Sequence, residues 1–136
     1  MSAVVLSERL KALLDRPVNI IVATIQPDGS PQLSPVWVMR DGDHILFSTL
    51  VDRRKKLNLD RDPRVSVVVM NPDSPYGYAE IRGTVVELTT NGGRELVEEL
   101  SLKYTGKKYA EVNPETYQEA DRVVVRIVPR KVIESI

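Results

Sequence analysis

The chain has 136 residues, the size of one typical domain, long enough to bury a single core. Nineteen Lys and Arg balance nineteen Asp and Glu, so the total charge favours neither nucleic acid nor a membrane surface as a general partner. The absence of cysteine excludes disulfides, thiolate metal sites and a cysteine nucleophile, and suits a reducing cytosol.

The first residues, MSAVVLSERLKALLD, are apolar only in short interrupted runs, so neither a signal peptide nor a membrane span is expected and the protein reads as soluble and cytoplasmic. Ser7 is the expected N-cap of a helix of about two turns, in which Leu10, Leu13 and Leu14 share a face and Pro17 forces the end. Val18 to Gln26 is rich in β-branched residues and predicts a strand, with Pro27 to Ser30 as its turn. Gln32 to Arg40 is a second expected strand, Asp41 to Asp43 a tight turn and His44 to Thr49 a third strand, together an antiparallel meander. A helix capped by Asp52 follows, Pro63 ends the segment, and Val65 to Met70 is the fourth strand.

Asn71 to Pro75 reads as a loop before a long strand, Tyr76 to Leu88, in which Gly83 marks a bulge or corner. Thr90 or Asn91 caps an expected helix over Gly93 to Tyr104, Tyr104 to Asn113 reads as a loop, and Pro114 starts one more short helix through Ala120. Arg122 to Val128 and a tail from Val132 to Ile136 supply the last strand pairing. Ile20 and Val22 point one way while Ile21, Ala23 and Ile25 point the other, so both faces of that strand are apolar, as they are in VSVVVM at residues 65 to 70. The fold expected is mainly β, a six- to seven-stranded antiparallel split barrel with two to three short helices, in one domain spanning residues 1–136. Its outside is expected to meet a helix or a second subunit.

One stretch concentrates charge. From Asp52 to Arg64 six cations stand against three anions, a net of +3 within a neutral chain. An apolar strand end runs into the hydroxyls of Ser48 and Thr49, and a helix then opens with Arg53, Arg54, Lys55 and Lys56. Helical amides without intrahelical partners, a positive dipole end and these cations suit a phosphate. A solvated basic helix is the competing reading of the stretch taken alone.

The remaining candidates carry less. His44 has no Ser or Asp placed to make a triad, and one His without Cys makes a transition-metal site unexpected. No GxGxxG or GxxxxGK[ST] occurs. Trp37 is a core or subunit-contact residue in preference to a ring-stacking partner, whereas Tyr76 and Tyr78 divide evenly between a pocket mouth and edge packing. Glu98, Glu99, Lys103, Lys107 and Lys108 read as solvated faces.

Four segments together resemble the flavin- and deazaflavin-binding split barrels that include pyridoxamine 5'-phosphate oxidase: ATIQPDGSPQLSPVWV at 23 to 38, FSTLVDRRKKLNLDRDPRVSVVV at 47 to 69, YAEIRGTVVEL at 78 to 88 and RVVVRIVPRKV at 122 to 132. Within that family the chain is most similar to the small proteins dependent on the deazaflavin coenzyme F-420. The resemblance implies that Pro35, Val36 and Trp37 run along the cofactor ring, and that Ser48 and Thr49 bond its phosphate or ribityl region. Arg53, Arg54 and Lys55 would hold the phosphate, and Asn58 would fix the helix start and its neighbourhood. It further implies a homodimer with a cofactor in each groove between subunits, so that Met70, Tyr76 and Tyr78 come from the other copy. The expected cofactor is F-420, with FMN as the alternative, and the expected activity is hydride transfer to a small conjugated organic acceptor. A carrier without turnover and a small nucleic-acid-binding barrel are the readings of other classes; neutral charge speaks against the latter, and no nucleic acid, membrane or metal partner is expected. Because the chain ends in PRKVIESI without the histidine of true pyridoxamine phosphate oxidases, that oxidase activity is not expected.

Overall fold

Alternation along the strands determines what is buried. The structure is a computed structural model and describes residues 3–114 and 121–136. Ile20, Val22 and Thr24 of β1 (Ile20–Ile25) are buried, while Ile21, Ala23 and Ile25 between them are half-buried. Val65, Val67 and Val69 of β5 (Arg64–Met70) are buried on the same inner side. The other strands are β2 (Pro31–Val36), β3 (Met39–Asp41), β4 (His44–Leu50), β6 (Tyr78–Thr89) and β7 (Arg122–Ser135). All pairings are antiparallel, in one seven-stranded sheet of order β2-β1-β5-β6-β7-β4-β3. The expected split barrel is therefore observed.

The expected meander is not. The predicted strand Gln32 to Arg40 breaks at Trp37 and Val38, and its halves, β2 and β3, lie at opposite edges of the sheet. Since only these two residues join the edges, the sheet has to curl upon itself. The core inside the curl includes Phe47, Ile45, Ile81, Val125 and Ile127, with Leu10 and Leu14 of α1 (Glu8–Leu14) plugging one end. α1 starts at Ser7, whose Oγ accepts from Leu10 N at 3.1 Å.

Two glycines are required by close approach. A Cβ on Gly83 would lie 2.6 Å from Ile127 Cγ2 and 2.8 Å from the Val128 carbonyl oxygen, beside the β6–β7 register shift. A Cβ on Gly93 would lie 2.1 Å from the Arg122 carbonyl oxygen, which seats α3 (Gly93–Thr105) against the start of β7. α3 is preceded by Gly92 in the left-handed region (φ 79°), in place of the expected Thr90 or Asn91 cap. Its Leu96 and Leu100 pack on Val124 with Leu46 and Trp37, covering the outer face of β4 and β7. The expected loop Tyr104 to Asn113 contains a further short helix, α4 (Tyr109–Val112), which lets Tyr109 reach the interior. The helix expected from Pro114 to Ala120 falls largely outside the described residues. Among the described residues no helix is long and apolar enough to cross a membrane, and no group of His, Cys, Asp and Glu is placed to hold a metal.

The break at Val38 leaves backbone groups outside the ladder, and α3 satisfies them. Tyr104 Oη accepts from Val38 N at 3.0 Å and donates to the Val18 carbonyl at 2.8 Å. Lys103 Nζ donates to the carbonyls of Val38 and Leu14 at 2.7 and 2.6 Å. Lys103 is thus an internal clip and not the solvated charge expected from its helical spacing. Burial pushes its ammonium down to about 8, with Asp15 nearby opposing the shift. The native state therefore releases this proton before the unfolded chain does, so the contribution of Lys103 to stability grows as pH rises from about 8 towards 10.5. Lys103→Met is expected to lower stability by about 1–3 kcal/mol at neutral pH, because it leaves the Val38 and Leu14 carbonyls without that donor. In urea titrations the advantage of the wild type should widen between pH 8 and 10; a flat difference would contradict this role.

Candidate functional site

α2 (Arg54–Arg61) opens against its own dipole. Its first turn contains no acidic residue, and its N-cap is Arg53, which makes no side-chain cap bond. The expected cap, Asp52, sits one residue too early, because a turn closed by Arg53 N to the Leu50 carbonyl (3.2 Å) ends β4 and delays the helix. Asn58 anchors the helix from beneath. It is fully buried, and its Nδ2 donates at 3.0 Å to both Thr24 Oγ1 and Gln26 Oε1 of the β1 segment. It thereby ties α2 to β1 and makes no bond to the helix start.

Where α2 meets the outer face of β4, a cleft of about 560 Å³ opens. One wall is Pro35, Val36 and Trp37 at the end of β2; another is Val97 and Leu100 of α3 with Tyr109, Val112 and Asn113 around α4. Ser48, Thr49 and Leu50 form its floor, and Arg53, Lys55 and Arg122 its charged end. Trp37 is held by stacking on Tyr104, with ring centroids 5.2 Å apart and planes 14° from parallel. Among the described residues no carboxylate or histidine lines the cleft.

Its electrostatics are one-sided. Burial, reinforced by the charge of Arg53, lowers the Lys55 ammonium below its ordinary value. Burial likewise lowers the Arg122 guanidinium; Tyr109 opposes that shift, while Arg53 and Arg94 add to it. Among the described residues neither Arg53, Lys55 nor Arg122 is in an ion pair. Ser48 Oγ, Thr49 Oγ1 and Arg122 Nε are buried without hydrogen-bond partners among the described residues. Cations near one another with no counter-charge among the described residues, beside unpaired hydroxyls, form a receptor for an anion of phosphate type.

Of the residues singled out from sequence, Pro35, Val36, Trp37, Ser48, Thr49, Arg53 and Lys55 are brought together here. Arg54 is exposed and outside the cleft; Lys56 pairs with Asp60 at 2.8 Å, and Arg61 donates to the Ile25 carbonyl. Met70, Tyr76 and Tyr78 are exposed and do not line the cleft, although Met70 N bonds the carbonyl of Asn19, which does. Arg122, Tyr109 and Asn113 were not singled out. Their spacing carries no motif, and the one available signal was an Arg directly before the apolar run Val123 to Val125.

A curled antiparallel sheet with a cationic cleft beside its first strand edge defines a split barrel of flavin-binding type. The chain belongs to the pyridoxamine 5'-phosphate oxidase family, whose profile matches residues 6–135. Among solved structures it is similar to an F-420 reductase at 31% identity, with 96% of this chain and 100% of that chain covered and a TM-score of 0.83. A conserved hypothetical protein of Mycobacterium tuberculosis is 28% identical over 97% of this chain and 86% of that one, with a TM-score of 0.75. The Group A Streptococcus protein HupZ, at 15% identity, shares the fold alone, with a TM-score of 0.68 over 95% of this chain and 93% of that one.

Asn58→Ala removes the amide that ties α2 to β1 and leaves Gln26 Oε1 without that donor. The expected cost is about 1–3 kcal/mol, with faster amide exchange confined to residues 54–61. Uniform exchange across the barrel would contradict this local role.

Proposed function

We propose that this protein is an oxidoreductase that binds reduced coenzyme F-420 in the cleft, with FMN as the alternative, and passes hydride to a small conjugated organic acceptor. The observation that carries the reading is the charged end of the cleft, where Arg53, Lys55 and Arg122 share the lining with Ser48 and Thr49, whose hydroxyls are unpaired, and, among the described residues, with no acid. The similarity to an F-420 reductase favours the deazaflavin over FMN.

Arg53 and Lys55, with the free amides of the first turn of α2, would hold the cofactor phosphate, and Ser48 and Thr49 would bond its phosphate or ribityl oxygens. Pro35, Val36 and Trp37 would flank the ring, and Val97, Leu100 and Val112 would exclude water from its other side. When bound, the cofactor supplies the redox chemistry, and the chain supplies orientation and desolvation. Arg54 and Asn58 would act less directly, Arg54 by its charge at the rim and Asn58 by fixing α2.

A homodimer is part of the reading. The outer face of β2, β1, β5, β6 and β7 carries the register row Pro35–Ile21–Val68–Glu80–Ile133 beside Met70–Tyr78. Pro35 belongs to both this face and the cleft, so a second copy packed on the face would bring its Met70, Tyr76 and Tyr78 towards the cofactor. A carrier without turnover is the second reading: among the described residues, no carboxylate or histidine of the cleft lining is placed to act as an acid or base.

The absorption spectrum of the purified protein mixed with each cofactor tests the class: a bound-state change with F-420 is expected, and failure with both F-420 and FMN would remove the reading. Arg53→Ala combined with Lys55→Ala should weaken cofactor binding by about 1.5–3 kcal/mol for each charged bond lost. Unchanged affinity in a fluorescence titration would place the phosphate elsewhere. Rapid mixing with candidate acceptors separates enzyme from carrier, since a carrier leaves the reduced cofactor unoxidised.

A further inference from the structure

Arg122 lies outside every segment from which a phosphate cradle was expected, yet it faces the same volume as α2. It opens β7 opposite Leu50, the residue whose carbonyl the Arg53 amide meets at the start of the basic helix, and lines the cleft with it. Its guanidinium stacks over the Tyr109 ring, 4.7 Å from the centroid, and Nη2 donates to Tyr109 Oη. Nε is buried with no partner among the described residues. A neutral phenol is a weak partner for a half-buried cation, because a guanidinium fork is matched by two anionic oxygens.

Tyr109 sits on a short element. Its ring is buried, the helix that carries it has four residues, and its backbone N donates to Glu98 at 3.3 Å, near the long limit of a hydrogen bond. Asn113, one residue beyond the helix, donates to Tyr109 Oη, also at 3.3 Å. Gly93 places the backbone of Arg122, since its missing Cβ is what allows α3 to meet the Arg122 carbonyl. Position and partner thus keep the fork pointed at the cleft.

We infer that Arg122 is a third anion-binding residue of the cleft and that Tyr109 is its placeholder: a phosphate-bearing ligand takes the Arg122 fork from the phenol, so binding is coupled to movement of α4. The inference rests on the proposed cofactor cleft but not on which cofactor fills it. The ligand's phosphate then joins α2 to the start of β7 at the charged end of the cleft. Tyr109→Phe removes the competing hydroxyl and retains the ring under the guanidinium.

The test uses inorganic phosphate and pyrophosphate as probes, with FMN and F-420 in parallel, on wild type, Arg122→Gln and Tyr109→Phe, each first shown to be folded by circular dichroism. Arg122→Gln is expected to weaken phosphate and pyrophosphate binding about ten- to a hundredfold, while Tyr109→Phe retains or strengthens it. In the wild type the Arg122 Nε–H resonance and the amides of residues 109–112 should shift together on adding pyrophosphate. Unchanged anion affinity in Arg122→Gln, or a loss in Tyr109→Phe equal to that in Arg122→Gln, would overturn the inference and leave the pair as a structural contact. If Arg122→Gln unfolds, Arg122→Lys is used, and undiminished pyrophosphate affinity with an unshifted 109–112 segment overturns the inference equally. Pyrophosphate binding that depends on Arg122, with neither cofactor bound, would retain this inference while removing the proposed function.

Discussion

Closure of the sheet at Val38 is the constraint on which the rest of the molecule depends. The chain leaves one edge of the sheet at Val36 and enters the other at Met39, so the backbone between has no strand to pair with. Buried amides and carbonyls without partners are costly, and here two neighbouring side chains of α3 answer them. Tyr104 takes the Val38 amide and returns a bond to Val18, while Lys103 joins Val38 to the end of α1. The same clip stacks Tyr104 beneath Trp37, so the device that shuts the barrel also sets one wall of the cleft.

The opposite wall is organised by charge at some cost to the apo protein. α2 begins with cations where its dipole favours anions, and its cap position has no acceptor. What holds it in place is the buried amide of Asn58 between Thr24 and Gln26, which anchors the helix independently of whatever occupies its N-terminus. Burial lowers the ionisations of Lys55 and Arg122, and the charge of Arg53 adds to both shifts. An anion in the cleft would complement both the uncapped helix start and these half-buried cations, which gives binding a physical driving force beyond shape.

Legibility in the sequence followed the range of the interaction. β1 and β5 were readable from their β-branched alternation, α1 from its cap and leucine spacing, and Gly83 as a bulge, because each is decided by neighbours in the chain. The apolar second faces of β1 and β5 pointed to a covered barrel for the same local reason. The break after Val36 was not readable, since Trp37 and Val38 are good strand formers and their partner Tyr104 lies 66 residues from Val38. Lys103 looked like a solvated charge because helical spacing shows a residue's face and not what that face meets.

The site divides along the same line. The sequence by itself determined that hydroxyls at a strand end precede a run of cations at a helix start, since strand, turn and helix there are contiguous between Phe47 and Arg61. Family-like motifs in that run were enough to expect a phosphate-binding split barrel. Only the tertiary structure decided which cations share the cleft, separating Arg53 and Lys55 from Lys56, which turns to Asp60. It alone brought Arg122 and Tyr109 from β7 and α4 into the same cleft, because the fold sets β7 beside β4 and seats α3 on its outer face. Helical and strand periods constrain a few residues at a time; closure of the barrel constrains the whole chain.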